Sequence, residues 1–429
     1  LVCPPLVFLG ILLDMNTHWN SILEDFPILK SSMRGKPFTY LDSAATSLTP
    51  EQVVQAMSRY YLEYGVNVHR GVYEFSERAT KEYEEVRKKT EHFLGLKPRK
   101  NSETPLGHVI FTKNTTEASN LVAYSYGREK HKPGDEILTT ETEHHSTLVP
   151  WHPVCKKTGA ILKAVPVTPQ GTFTLEDFTS RLSSRTKIAV FSAMSNVTGF
   201  IPPIHEMVRA AKDVGALTIV DGAQYVSHHG VDVEDLGCDF LFFSAHKMLG
   251  PTGLGVLYGR TEVLETMEPF LYGGNMILKV SDFASTYHPL PEKFEAGTPP
   301  IAEVIGFGAA LDYLSNLEMA KVREQEKKLL AYALNRASDR PWIQILGPKD
   351  PEHQGAILSF NIEGVHSHDL GTLLDSQGIA VRTGVHCAQP LMGHLQVGGA
   401  VRASMYFYNT EADLDRLFDG IERARAIFA

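Results

Sequence analysis

Between residues 107 and 259 the chain alternates short β-branched and aromatic runs with stretches of helical periodicity. The runs His108–Thr112, Glu136–Thr140, Leu162–Val167, Lys187–Ala193, Leu217–Asp221, Phe240–Phe243 and Gly255–Tyr258 read as strands. Apolar positions at helical spacing lie between several of them, at Glu117–Tyr126, His145–Lys157 and Ile204–Val214. This alternation predicts an α/β fold built on a mostly parallel sheet with both faces covered. Ligands in such sheets sit at the carboxyl ends of the strands. Three polar clusters fall at such ends: Asn114-Thr-Thr-Glu117, Asp221-Gly-Ala-Gln224 and Ser244-Ala-His-Lys247.

After about Asp312 the pattern changes. A long charged helix over Met319–Arg336 leads into strands near Ile343–Leu346 and Gly355–Ile362, then a helix over Ser367–Gln377 and a closing helix over Glu411–Phe428. The expected organisation is a large domain over residues 35–312 and a smaller α+β domain over 313–429, with residues 15–34 packing on the small domain. Leu1–Leu13 is apolar but has no basic residue ahead of it and is too short to span a bilayer, so neither a secretory signal nor a membrane helix is read there. Met15 precedes a helical pattern over Trp19–Phe26, and residues 1–14 are expected to be an upstream extension or disordered.

Composition narrows the classes. At 429 residues the chain has room for two to three domain-sized units, with 43% hydrophobic and 21% charged residues. The net charge of −9 has no basic block to offset it, which argues against nucleic acid and anionic membrane as partners. The four cysteines, Cys3, Cys155, Cys238 and Cys387, are far apart and include no C-x-x-C pair, so neither a disulfide framework nor a cysteine-built zinc site is expected.

Lys247 is the residue that packing explains least. It ends a buried apolar run, where an unpaired ammonium is costly. A Schiff base to a carbonyl cofactor removes that charge, and a lysine snorkelling from a strand end is the competing reading. A pyridoxal phosphate site would need three further things. Its phosphate needs N–H groups at a helix N-terminus and hydroxyl donors, for which Thr116, Ser244 and His246 are candidates. Asn114 and Glu117 have capping-box spacing, which also fits an ordinary helix start. Its pyridine nitrogen needs a carboxylate to stay protonated. Asp221 suits this, but an acid ending a buried strand can equally cap the next helix. Gln224 is placed to reach the ring's phenolic oxygen. The ring face needs a flat partner, and His144 can stack there and relay protons from an ordinary imidazole pKa. The pairs His144-His145 and His228-His229 invite a zinc reading, but no ligand spacing supports one, and no metal is expected.

The second chemistry lies in Val381-Arg-Thr-Gly-Val-His-Cys-Ala-Gln-Pro-Leu-Met392. Cys387 sits between His386 and a proline-containing turn with Arg382 upstream, a setting that favours a reactive thiolate over a buried small hydrophobe. Arg402, in an otherwise apolar stretch, can clamp a substrate carboxylate, with a surface ion pair as the alternative.

From Trp19 to the C-terminus the chain resembles the Suf-type (group II) cysteine desulfurases, fold-type I pyridoxal phosphate enzymes of the class V aminotransferase superfamily. The resemblance is carried by Tyr40-Leu-Asp-Ser-Ala-Ala45, Val68-His-Arg-Gly71, Thr115-Thr-Glu117, Glu143-His-His145, Ser195-Asn-Val197, Asp221-Gly-Ala-Gln224, Ser244-Ala-His-Lys247, Lys293-Phe-Glu-Ala-Gly-Thr298, Arg382-Thr-Gly-Val-His-Cys387 and Arg402-Ala-Ser404. It implies a seven-stranded, mostly parallel sheet in the large domain and a cytoplasmic homodimer. Lys247 would hold pyridoxal 5'-phosphate. Thr116, Ser244 and His246 would bind its phosphate, with Thr115 beside them in the cofactor-binding turn and Thr298 reaching the phosphate of the neighbouring subunit. Asp221 would meet the pyridine nitrogen, Gln224 the phenolic oxygen and His144 the ring face. Asn196 and Arg402 would hold the carboxylate of L-cysteine, with Arg382 nearby.

By the same resemblance Cys387 would take the sulfur as a persulfide, leave L-alanine, and pass the sulfur to a SufE- or SufU-like acceptor for iron–sulfur cluster assembly. Selenocysteine lyase, acting on L-selenocysteine with the same scaffold, is the alternative it leaves open; a cofactor-free sulfur-trafficking scaffold is a more remote one. Two positions depart from the family pattern: Val385 stands where a second histidine often precedes the His-Cys pair, and Asn114 stands where glycine is common.

Overall fold

The computed structural model describes residue 19 and residues 22–97 and 104–428. The extension expected at 1–14 lies outside the described residues, as does part of the helical pattern at Trp19–Phe26, of which Leu23–Asp25 forms a single 3₁₀ turn. The large sheet has seven strands: β1 Gly107–Thr112, β2 Glu136–Thr140, β3 Ile161–Val165, β4 Thr186–Ser192, β5 Leu217–Asp221, β6 Phe240–Ser244 and β7 Gly255–Arg260. Their order is β1-β7-β6-β5-β4-β2-β3. β2 through β6 run parallel to one another, and β7 pairs antiparallel with both β1 and β6. This is the mostly parallel α/β sheet that the alternating pattern predicts. Every position of β5 and β6 is buried, which is why those strands read as continuous apolar runs and not as alternating ones.

The seven runs fall where the sequence places them, within a residue or two, but the helices between them are more broken. Pro150 divides the helix expected over His145–Lys157 into His145–Leu148 and Trp151–Thr158. Helices α1 Glu51–Glu63, α2 Glu74–Phe93 and α3 Thr115–Val122 precede and follow β1. α4 Ile204–Asp213 packs against β4 and β5. α5 Ile301–Leu317 lies against α1 and α2 with most of its circumference buried.

A second sheet holds β8 Ile343–Leu346, β9 Ile357–Ile362, β10 Arg382–Gly384 and β11 Ala400–Ser404 in the order β8-β9-β11-β10, all antiparallel. Its own core, with Leu358, Phe360 and Val401, is covered by α6 Met319–Ser338, α7 Ser367–Asp375 and α8 Glu411–Phe428. The segment Thr39–Asp42 links the two sheets. Thr39–Tyr40 pairs in parallel with Ile379–Ala380, Asp42 bridges to Ser404, and the chain then crosses to the lysine turn, where the Ser47 N–H donates to the His246 carbonyl at 2.9 Å.

Candidate active site

The site begins where β6 ends. Ala245–Lys247 forms a 3₁₀ turn, held from the linking segment by Ser47 and by Thr46 Oγ1, which donates to the His246 carbonyl at 2.9 Å. Lys247 is partly open to a cavity of about 550 Å³ and otherwise walled by protein. Burial lowers its ammonium pKa to about 8; the positive charge of Arg402 acts in the same direction and the carboxylate of Asp221 against it. A lysine snorkelling into bulk water would not be desolvated in this way.

Beside it, α3 starts at the cap Asn114, whose side chain accepts the Glu117 N–H at 3.0 Å. The capping box does not close as its spacing predicts, because Glu117 reaches one residue further back and accepts the N–H of Lys113. The Ser244 hydroxyl accepts the Thr115 N–H at 2.9 Å and lies 2.7 Å from Thr115 Oγ1. The carboxyl end of β6 is thereby fastened to the N-terminus of α3, with Thr116 and His246 also lining the cavity. Such a helix start presents N–H donors to an anion.

Asp221 ends β5 and is buried. Its carboxylate accepts a hydrogen bond from Thr147 Oγ1 and another from the Ala223 N–H at 2.8 Å. The next helix begins only at Val233 and is capped by Asp232, so Asp221 does not cap it; its carboxylate caps the turn that follows the strand and lines the cavity. Burial raises its pKa, against the pull of these two donors. Gln224 lines the same wall, with its Nε2 donating to the Ala44 carbonyl at 2.6 Å.

His144 Nδ1 accepts the Ser146 N–H at 3.1 Å, so a neutral ring carries its proton on Nε2. Burial, followed by the charge of Lys247, pushes its pKa down to about 4. The ordinary imidazole value behind the expected proton relay does not hold here. Glu143 was not among the residues singled out from the sequence. It is buried, accepts hydrogen bonds from Thr140 Oγ1 and Ser192 Oγ at 2.6 Å each, and burial raises its pKa to about 7.

The opposite wall comes from the small sheet. Arg402 on β11 is buried, not a surface ion pair. It donates to the Asn196 carbonyl at 2.8 Å, and burial lowers its pKa to about 10. Arg382 on β10 makes a two-pronged pair with Asp42, at 2.9 Å from Nη2 and 3.1 Å from Nε. Asp42 also lies 3.4 Å from Arg402, so it joins both arginines. Sequence reasoning passed over it, although it stands in the quoted segment Tyr40–Ala45. Neither β10 nor β11 is foreseen as a strand.

Cys387 is exposed and follows β10 in a loop. His386 beside it is buried, with Nε2 donating to the Ala400 carbonyl at 3.1 Å and burial pushing its pKa down to about 4. Asn196 Nδ2 donates to the His386 carbonyl at 2.7 Å. Asn196 Oδ1, Arg402 Nε and His386 Nδ1 are buried without a protein partner.

One cavity therefore gathers Lys247, His144, Asp221, Gln224, Thr115, Thr116, Ser244, His246, Asn196, Arg382, Arg402 and Cys387. Thr298 is the exception: it is exposed ahead of α5 and does not line this cavity. Among the described residues no group of three or more metal-ligating side chains is placed to hold an ion. The second histidine pair is taken up in packing, with His228 hydrogen-bonded to Glu326 at 2.6 Å and His229 stacked on Tyr225. Chemically, the cavity joins a partly deprotonated amine, a buried carboxylate, an anion cup, two arginines and a thiol.

Residues 39–417 match the aminotransferase class-V family. A probable cysteine desulfurase of Halalkalibacterium halodurans is 46% identical over 414 residues, which cover 96% of this chain and 99% of that protein. A cysteine desulfurase of Haloferax volcanii is 43% identical, covering 96% and 97% of the two chains. Among solved structures, a cysteine desulfurase of Escherichia coli superposes with a TM-score of 0.86 at 38% identity, covering 96% of this chain and 99% of that one. The apo cysteine desulfurase of Thermococcus onnurineus gives 0.88 at 38% identity, covering 94% and 97%. The chain belongs to the class V aminotransferase family, within its cysteine desulfurase branch.

Proposed function

We propose that the protein is a cysteine desulfurase that moves the sulfur of L-cysteine onto Cys387 and releases L-alanine, with pyridoxal 5'-phosphate as cofactor. The observation that carries this reading is the meeting, in one cavity, of the desolvated Lys247 amine, the buried Asp221 carboxylate and the exposed Cys387 thiol. The donor set fits the cofactor. The start of α3 with Thr116, Ser244 and His246 suits a phosphate, Asp221 a protonated ring nitrogen, Gln224 a phenolic oxygen and His144 a ring face, while Lys247 would hold the aldehyde carbon. Bound there, the cofactor supplies an electron sink for charge developing at the substrate α-carbon.

The chain's own groups account for the rest. Buried Arg402, with its unpartnered Nε, and Asn196, with its unpartnered Oδ1, suit the carboxylate and amine of an amino acid. Lys247, with a pKa of about 8, has a neutral fraction near neutral pH able to accept the α-proton and return it. Cys387 Sγ forms a bond to the substrate sulfur as the Cβ–S bond breaks, and Cβ takes up a proton. L-cysteine and one thiol thus become L-alanine and one persulfide, with no outside oxidant or reductant.

Exposure of Cys387 supports transfer of that sulfur to a SufE- or SufU-like acceptor. A homodimer, with Thr298 reaching the partner's site, is supported by the exposure of Thr298 and of the apolar side chains Leu62, Val72 and Phe283. The test measures L-alanine and sulfide from L-cysteine in the wild type and in Cys387→Ser, with and without acceptor. Formation of L-alanine by the wild type and its loss in the variant is expected. Full-rate turnover by Cys387→Ser would remove Cys387 from the mechanism.

A further inference from the structure

We infer that His145 is a positioning residue that holds the cysteine loop in its working geometry. The consequence for catalysis rests on the desulfurase reading above; the geometry does not. His145 opens the short helix that follows His144 and does not itself line the cavity. Its backbone N–H donates to the Cys387 carbonyl at 2.8 Å. Its ring Nε2 accepts the Gln389 N–H at 3.1 Å. The two bonds grip the loop at the cysteine itself and two residues beyond it. A third bond, from Asn196 Nδ2 to the His386 carbonyl, grips it one residue before.

What these bonds hold is a loop in an unfavourable conformation. His386 and Cys387 have φ of 50° and 54°, two consecutive residues in the left-handed region that a Cβ disfavours. Such backbone persists only where its surroundings over-determine it. Asn196 is assigned to the substrate, which leaves His145 as the anchor outside the binding machinery. Because His144 faces the cavity from the adjacent position, one short stretch of backbone sets both a wall of the cavity and the reach of the thiol. Acceptance at Nε2 needs a lone pair, so the ring acts in its neutral form with the proton on Nδ1.

The experiment compares the wild-type holoenzyme with His145→Ala and His145→Gln, since the Gln side-chain oxygen falls near the position of Nε2. It reads the iodoacetamide alkylation rate of Cys387, by peptide mass spectrometry without substrate, and kcat and KM for L-alanine formation. His145→Ala is expected to alkylate faster and to lose kcat, each by roughly two- to tenfold, the range one net hydrogen bond commands, with KM unchanged. His145→Gln is expected to restore both. Unchanged alkylation and kcat in His145→Ala, or a Gln variant as impaired as the Ala variant, would overturn the inference. If His145→Ala does not fold, hydrogen exchange of the wild type decides: a protected Gln389 amide supports the anchor and an unprotected one overturns it. Failure of the desulfurase reading looks different, with no L-alanine from the wild type while the alkylation rates still separate the variants.

Discussion

At the scale of single residues, Asp42 joins the two arginines of the small sheet and leaves neither of them without a countercharge. Arg402 is almost wholly desolvated, so removing its carboxylate partner costs more than a surface pair would. Asp42→Asn is expected to lower stability by about 1–3 kcal/mol, the scale of charge-assisted hydrogen bonds, and thermal or denaturant unfolding against the wild type measures it. An unchanged midpoint would mean that the arginines hold themselves. Lys247, Asp221 and Cys387 were legible because each is the wrong type of residue for its surroundings: a base or an acid closing an apolar strand, a thiol between a histidine and a turn. Asp42 was not, because an acid in a loop is ordinary and its partners lie 340 and 360 residues away. The depressed value at His144 was equally hidden, since burial and the neighbouring Lys247 produce it only in the folded chain.

The elements show the same division between local and assembled information. β5 and β6 were readable because burial on both faces writes a continuous apolar run. β10 has three residues, and β11 carries a buried arginine at its centre, so neither offers a strand pattern. Both exist through their pairing with each other and, for β11, with β9. The junction of β7 with the start of α3 rests on a close backbone approach at Gly255. A Cβ there would lie 2.5 Å from Asn114 Cα and 2.6 Å from its carbonyl carbon. Gly255→Ala must therefore displace the turn that presents Asn114, Thr115 and Thr116 to the cavity. A loss of about 1–3 kcal/mol in stability, of the size that overpacking brings, is expected together with weaker retention of cofactor. Unfolding curves and the visible absorbance kept after gel filtration report the two effects, and a variant that matches the wild type in both would show that the turn yields without cost.

Across the whole molecule, the cavity exists only where the two sheets and the segment that links them come together, and this determines how it responds to pH. Burial holds His144, His246 and His386 neutral, each with a pKa of about 4 against an ordinary 6.5. As pH falls below 6.5 the unfolded chain binds protons that these three sites refuse, so the stability they contribute is present above 6.5 and is lost as pH falls through 4. Glu143 runs the other way. Its pKa of about 7 lies above the ordinary carboxyl value, so its contribution is lost as pH rises through 7. The three histidines outweigh Glu143, so the cofactor-free protein is expected to melt progressively lower from pH 6.5 to 4, and Glu143→Gln to steepen that fall by removing the opposing contribution between pH 4.5 and 7; flat profiles, or a variant profile identical to the wild type, would contradict this. The fold class could be read from the chain because it follows from repeated local patterns, whereas the joining of the cavity depends on contacts between distant segments. The central claim is that Cys387 receives the sulfur of L-cysteine. Mass spectrometry of the Cys387 peptide, after the holoenzyme meets L-cysteine without an acceptor, tests it most directly. The account predicts a peptide carrying one additional sulfur atom, on Cys387 and on no other cysteine; an unmodified Cys387 alongside continued L-alanine formation would contradict it.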